Sequence, residues 1–290
     1  MFYLKNIVVT MRPKHWIKNI VVFAALIFSV TFFNLQNDIK IFVTFLLFCL
    51  LSGSAYIVND IADREKDKTH PIKAKRPIAS NQLNLLPAVI SAVVFSTLSL
   101  IVGYYINTLL GLTLVLYFFI NLLYSFWLKK VFLIDIFVIS FGIVLRALAG
   151  AIAIQVRISP WFVISTMFLA LFLALNKRKS ELKLTKDSNT CTRKVLKEYT
   201  IRYLDHLIII VTAAIIISYA LYSFNSVHSD QMLWTIPFVI YGVFRYIYLT
   251  EVKNYGGQLS ETLLKDIPLM IDISLWGIIV ILVLVFFNNG

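Results

Sequence analysis

Nine stretches of this chain are long and apolar enough to cross a lipid bilayer as helices, and that restricts the fold more than any other feature. A hydrocarbon core of ~30 Å takes roughly 20 helical residues. Runs of that order lie near 17–33, 39–58, 84–104, 108–128, 131–152, 159–176, 203–224, 232–250 and 267–288. Strands do not compete, because the alternation of polar and apolar residues is missing and an open sheet cannot span lipid. Only 14% of the 290 residues are charged and 59% are hydrophobic, whereas about a quarter of a soluble domain is charged. The expectation is an all-α polytopic membrane protein forming one transmembrane domain over residues 1–290. Within it, helices 2–5 and 6–9 read as two four-helix units. The first run has no small-residue cleavage site and more spans follow it, so it reads as a retained helix.

A net charge of +12 is compatible with nucleic-acid binding in principle. Its distribution argues for a membrane instead. With the N-terminus in the cytoplasm, 23 of the 27 Lys and Arg fall on cytoplasmic segments. The densest are the loops 59–83 and 177–202. Lys40 and Arg157 fall on the other side, and Arg146 and Arg245 lie inside spans. This is the positive-inside pattern, and it points to anionic lipid or phosphate as partners. Cys49 lies in an apolar run and Cys191 in a polar loop, so neither a disulfide nor a Cys/His metal set is expected.

The polar stretch that organises the chain is residues 59–80, NDIADREKDKTHPIKAKRPIAS, between two apolar runs. Four acids (Asp60, Asp63, Glu65, Asp67) precede most of the bases, among them Lys73, Lys75 and Arg76. If the helix of span 2 continues, steps of ~100° place Asn59, Asp63, Asp67 and Asp60 within an arc of about 100°. Carboxylates crowded this way repel unless a cation sits among them. Hard oxygen ligands favour Mg²⁺, which usually bridges to substrate phosphate. The basic half then grips further phosphate. A solvated loop of mixed charge is the plainer reading.

Other polar features fall at the same cytoplasmic level. Residues 12–19, RPKHWIKN, read as an interfacial lead-in, with Lys18 either setting topology or meeting substrate phosphate. Tyr124 and Lys129 close helix 4, and Asp135 opens helix 5, three turns from Arg146 on the same side. Arg146 sits deeper and reads as structural or as lining a lipid-tail cavity. Arg245 and Asp272 are expected to pair. After helix 6, residues 176–181 (NKRKSE) allow Lys177 to stand beside Glu181, with Arg178 next to them. Residues 183–198 read as an exposed polar loop.

The order of spans, the cytoplasmic N-terminus and the NDxxDxxxD pattern after helix 2 resemble the UbiA-type prenyltransferase superfamily. Tyr124 with Lys129 resembles a family Tyr…Lys element, one residue longer than usual. Where most members carry a second aspartate-rich motif after helix 6, this chain has KRKSE. That departure, together with RPKHWIKN, NDIADREKDKTHPIKAKRPIA, LRALAG around Arg146 and KRxxE, is closest to the decaprenyl-phosphate phosphoribosyltransferase branch. The resemblance implies a UbiA-like bundle in the bacterial inner (plasma) membrane with its site facing the cytoplasm. It implies transfer of phosphoribose from 5-phosphoribosyl 1-diphosphate to a polyprenyl phosphate, with release of diphosphate, in cell-envelope glycan synthesis.

On that reading Asn59, Asp60, Asp63 and Asp67 hold Mg²⁺, and the three Asp are the catalytic set. Lys18, Lys73, Lys75, Arg76, Tyr124, Lys129, Asp135, Lys177, Arg178 and Glu181 bind substrate. One acidic motif with several basic clusters suits two anionic substrates. Two other readings stay open. One is prenyl transfer from a prenyl diphosphate to an aromatic or other acceptor. The other is a lipid-phosphate or anion transporter, although transporter sites favour the midplane and broken helices, while the acids here gather at the rim.

Overall fold

A computed structural model describes residues 2–31, 33–69, 73–188, 194–226, 229–253, 255 and 265–286. Pro71, Cys191, the Gly256 and Gly257 pair and the C-terminal Asn-Asn-Gly lie outside them. Among the described residues the regular structure is entirely helical, and eight helices are long and apolar enough to cross a membrane. In chain order the helices are α1 (Phe2–Met11), α2 (Ala24–Phe28), α3 (Leu35–Ala62), α4 (Arg64–Lys68), α5 (Leu85–Ile106), α6 (Thr108–Phe126), α7 (Ile134–Ile154), α8 (Pro160–Ser188), α9 (Ile201–Phe224), α10 (Ser229–Met232), α11 (Ile236–Glu251) and α12 (Ile267–Phe286).

The first expected span, 17–33, is not one long α-helix. A 3-10 helix, Pro13–Phe23, leads into the short α2, and Val30 adopts a positive φ of 54°. A 3-10 helix stacks residues three apart on one face. Here that face carries Trp16, Asn19 and Val22, of which Asn19 and Val22 are fully buried. Gly150 of α7 lies against the carbonyl of Val22, where an added Cβ would come within 2.2 Å of its oxygen.

The chain divides into two compact units. Unit 1 comprises Met1–Leu26, Thr31–Val138 and Leu145–Val156; unit 2 comprises Ile27–Val30, Ile139–Val144 and Arg157–Gly290.

In unit 1, α5 packs on α3 and α6 through a stripe of small buried residues, Ala88, Ala92, Ser96, Ser99 and Gly103. Its other face exposes Val89, Val93, Ile101 and Tyr105. Small residues inside and large apolar ones outside suit a helix whose solvent is lipid, where close backbone packing replaces the hydrophobic drive. A single residue, Asn107, ends α5 and starts α6, its side chain accepting from the N–H groups of Leu109 (2.8 Å) and Leu110 (3.3 Å). At the polar end, Ile78 and Leu83 from the loop before α5 are buried against Met11, Ile57, Ala88 and Ala92.

In unit 2, α8 runs past its expected end at 176 to Ser188, and a 3-10 helix, Lys194–Glu198, follows. Residues 183–198 are therefore not a uniformly exposed loop: Val195 and Leu196 are buried. The extension is held by ion pairs at its level. Lys179 meets Asp205 of α9 and Glu251 of α11, and Lys183 lies 3.1 Å from Glu251. The expected pairing of Arg245 with Asp272 does not occur. Arg245 instead donates to both oxygens of Asp266, at 3.1 and 2.8 Å, while Asp272 fills the space left by the missing side chain of Gly242. Asp266 precedes α12 and caps it through the N–H of Leu269 at 2.9 Å, a position Asp272 cannot serve from inside the helix.

Candidate active site

Asp60 stands where a helix end is least hospitable to an acid, whereas Glu65 and Asp67 lie in the first turn of α4. The last carbonyls of a helix carry partial negative charge, and α3 ends at Ala62 with Asn59 and Asp60 in its last turn. Asp63 is the joint (φ −95°, ψ 2°), after which α4 begins. The N–H of Asp63 still reaches Asn59 O and that of Asp67 still reaches Asp63 O, both at 2.9 Å. The stripe thus survives the break, but the four polar groups do not act as one set. They separate into two pairs, each closed by a base.

Asp60 and Asp67 share Arg76, whose Nη1 lies 3.0 Å from Asp60 Oδ1 and 2.5 Å from Asp67 Oδ2. Both carboxylates are buried, at 3% and 4% exposure, so the guanidinium offsets a repulsion that water cannot screen. Arg12 adds a second cation on Asp60 and lies over the ring of Tyr56, 4.8 Å from its centroid. Asn59 and Asp63 share Lys129: its Nζ is 3.1 Å from Asn59 Oδ1 and 2.8 and 2.7 Å from the two Asp63 oxygens.

Local structure explains how the bases arrive. The short 3-10 turn Lys73–Lys75 leads to Arg76, and the buried Ile78 and Leu83 anchor the following loop. Arg64 Nη2 donates to Asn81 Oδ1 at 2.8 Å, with Asn81 at a φ of 61° that Asn tolerates better than most residues. Lys129 sits in the 3-10 turn Leu128–Lys130 that follows α6.

Of the residues expected at the site, Asn59, Asp60, Asp63, Asp67, Arg76 and Lys129 are brought together. Tyr124 is half-buried on α6, Lys75 is exposed, and Lys73 is half-buried beside it. Asp135 is fully buried in the first turn of α7. Lys18 is half-buried and shares the field of Arg146 and Arg12.

Arg12 was read only as an interfacial charge, yet it contacts the acid stripe. Its φ of 56° just before Pro13 turns the chain there. A second network was also illegible. Arg146 donates from Nε to Asn19 Oδ1 (2.7 Å) and from Nη2 to Tyr117 Oη (2.5 Å), and Asn19 reaches Cys49 Sγ at 3.3 Å.

The donor chemistry fits Mg²⁺ as a partial shell. All four groups offer hard oxygens, but among the described residues no three of His, Cys, Asp and Glu converge to hold a metal by themselves. Mg²⁺ typically takes one or two carboxylates and completes its shell from substrate phosphate and water. Two pairs of residues, each now facing a cation, match that use.

Residues 19–262 match the UbiA prenyltransferase family. The chain belongs to that family. It is 34% identical over 276 residues to a decaprenyl-phosphate phosphoribosyltransferase of Corynebacterium glutamicum, covering 92% of this chain and 82% of the relative. With the enzyme of that name from Mycolicibacterium smegmatis it shares 31% over 290 residues, covering 94% and 90%. The fold is similar to that of a UbiA homolog from Archaeoglobus fulgidus bound to GPP and Mg²⁺, with TM-score 0.72, 18% identity, and 96% and 99% of the two chains covered.

Unit 2 of this UbiA family member carries the KRKSE turn. Arg178 is buried at 1% exposure and its Nη1 lies 2.6 Å from Glu181 Oε2; Lys177 Nζ is 4.0 Å from Glu181 Oε1 and is about a third exposed. Glu181 therefore stands beside Lys177 as expected, and Arg178, three residues before it, makes the shorter of the two contacts.

Proposed function

We propose that the protein is a membrane phosphoribosyltransferase that moves 5-phosphoribose from 5-phosphoribosyl 1-diphosphate to a polyprenyl phosphate and releases diphosphate. The observation that carries the diphosphate-releasing part of the reading is the pairing of each half of the acid stripe with a base, Asp60 and Asp67 with Arg76, and Asn59 and Asp63 with Lys129. Such pairs suit a metal-bound diphosphate, whose cation takes the oxygens and whose anion takes the bases. Relatives at 31–34% identity bear the name of this activity.

Asn59, Asp60, Asp63 and Asp67 would hold Mg²⁺, which when bound neutralises charge on the departing diphosphate as Lewis acid and template. Arg76 and Lys129 take diphosphate oxygens and fix the donor. The bond from the anomeric carbon to the diphosphate oxygen breaks, and a bond from that carbon to an oxygen of the lipid phosphate forms. The attacking oxygen is already ionised, so no side chain has to remove a proton. Catalysis rests on positioning and on electrostatic stabilisation. Lys18, Lys73, Lys75, Tyr124 and Asp135 are assigned to the substrate pocket of unit 1. Lys177, Arg178 and Glu181 form an anion-binding turn in unit 2.

The segment before α3 is read as a ninth crossing. Eleven residues of 3-10 helix at ~2.0 Å and five of α-helix at ~1.5 Å reach about 30 Å, a hydrocarbon thickness. With the N-terminus inside, the acid stripe faces the cytoplasm, and the tail of the acceptor enters from the lipid. A second reading, prenyl transfer, is favoured by the family itself and by the GPP and Mg²⁺ bound in the archaeal fold neighbour. Radiolabelled donors separate the two. Label from 5-phosphoribosyl 1-diphosphate should enter the lipid fraction, and transfer from prenyl diphosphate alone would favour the second.

A further inference from the structure

The ammonium of Lys129 stands at the focus of three oxygens, within 2.7–3.1 Å of Asn59 Oδ1 and both oxygens of Asp63. A Mg²⁺ ion binds oxygen at about 2.0–2.1 Å. The same oxygens cannot close on a metal at that distance while the ammonium also sits among them. Two cations there would overlap and repel. The pair is partly shielded from water, with side-chain exposures of 13% and 21%, so that repulsion is only partly screened. Arg76 bridges Asp60 and Asp67 in the same manner. The acid stripe is thus already neutralised by the protein.

We infer that Lys129 is a resident counter-cation at the metal position, displaced only when an anion arrives with the metal, so that divalent ion and donor diphosphate bind together rather than singly. A divalent ion alone has to move Lys129 off Asn59 and Asp63 and brings no anion in exchange. A free diphosphate alone meets bases already engaged by carboxylates. A metal diphosphate exchanges both sets at once: metal for ammonium on the oxygens, and phosphate for carboxylate on the ammonium. The consequence is positive coupling between the two ligands. It also spares the enzyme from holding a metal with no substrate. This inference rests on reading the stripe as a metal–diphosphate site, but it holds whether the diphosphate carries phosphoribose or a prenyl group.

The test is binding, with Mn²⁺ as a paramagnetic stand-in for Mg²⁺. Purified full-length protein in nanodiscs is titrated with Mn²⁺ alone and with a preformed complex of Mn²⁺ and methylene diphosphonate, and free Mn²⁺ is read by electron paramagnetic resonance. The wild type should bind the complex at least about tenfold more tightly than Mn²⁺ alone, and Lys129→Met should bind Mn²⁺ alone at least about tenfold more tightly than the wild type while losing affinity for the complex. Lys130→Met removes the same charge from an exposed neighbour and should leave both affinities unchanged. Unaltered or weakened Mn²⁺ binding in Lys129→Met overturns the inference, as does an equal gain in Lys130→Met. Wild-type protein that takes Mn²⁺ alone as tightly as the complex overturns it without recourse to any variant. Absence of Mn²⁺ binding in every form removes the metal reading beneath it as well, and that result is distinct from the other three.

Discussion

Arg76 reaches Asp60 and Asp67 with one nitrogen, Nη1, at 3.0 and 2.5 Å, and so joins the end of α3 to α4 across the break at Asp63. Both carboxylates are almost fully buried. Arg76→Ala leaves two close acids without their shared cation. It should lower stability by about 3 kcal/mol, the lower end of what breaking a buried pair costs, because the guanidinium itself is a quarter exposed. Chemical unfolding in detergent measures this, and Arg76→Lys should recover only part, since an ammonium lacks the planar fork.

Lys177 and Arg178 are neighbours that differ in burial, one about a third exposed and the other enclosed. Lys177→Ala should leave unfolding unchanged and reduce the rate at limiting lipid phosphate by about tenfold, the worth of one charge-assisted contact. Arg178→Ala should lower stability as well, because the residue is buried and tied to Glu181. Equal unfolding curves for both variants would show that burial of Arg178 is not what holds the turn.

Gly150 allows the 3-10 segment to approach α7. In Gly150→Ala the new methyl would meet the Val22 carbonyl oxygen at 2.2 Å, a backbone atom that cannot swing aside. The variant should lose about 1–3 kcal/mol, the usual cost of overpacking. Gly277→Ala, with open space around it, should lose nothing. Thermal scans of the two in one detergent decide the matter.

Acid should loosen the start of α12. The hydrogen bonds from Arg245, with that from the N–H of Leu269, hold the Asp266 carboxyl below the usual carboxylate range. A depressed pKa contributes stability that is present above the unfolded value of ~3.9 and is lost as pH falls through the folded value. Unfolding measured from pH 6 down to 3 should show this loss at the acid end. Arg245→Met should flatten the part of the profile that Asp266 supplies.

Much of this is legible in the sequence. Eight of the nine runs expected from apolar length coincide with long helices among the described residues, and the crowding of Asn59, Asp60, Asp63 and Asp67 pointed to a polar centre. What the sequence could not convey was which base closes on which acid. Arg76 follows Asp60 by 16 residues and Lys129 follows Asp63 by 66, so these pairings depend on how the 76–83 loop and the α6 terminus pack rather than on helical spacing. The Asn19–Arg146–Tyr117 network was hidden for the same reason: its members lie far apart in the chain. The first segment was misread as one long helix because apolarity reports burial in lipid or protein without reporting helix type. The buried Asn19 and Val22, three residues apart, fit the 3-10 form. Arg245 was paired with Asp272 because both lie near one helix end, whereas Asp266 offers a capping geometry that Asp272 lacks.

The most direct measurement is the product itself. Purified protein is incubated with Mg²⁺, 5-phosphoribosyl 1-diphosphate and a polyprenyl phosphate, and the extracted lipid is weighed by mass spectrometry. The expected result is a polyprenyl phosphate heavier by one phosphoribosyl group, formed with one diphosphate released, absent in EDTA and absent in Asp63→Ala. Unchanged lipid with active, folded protein, or full conversion in EDTA, would contradict it.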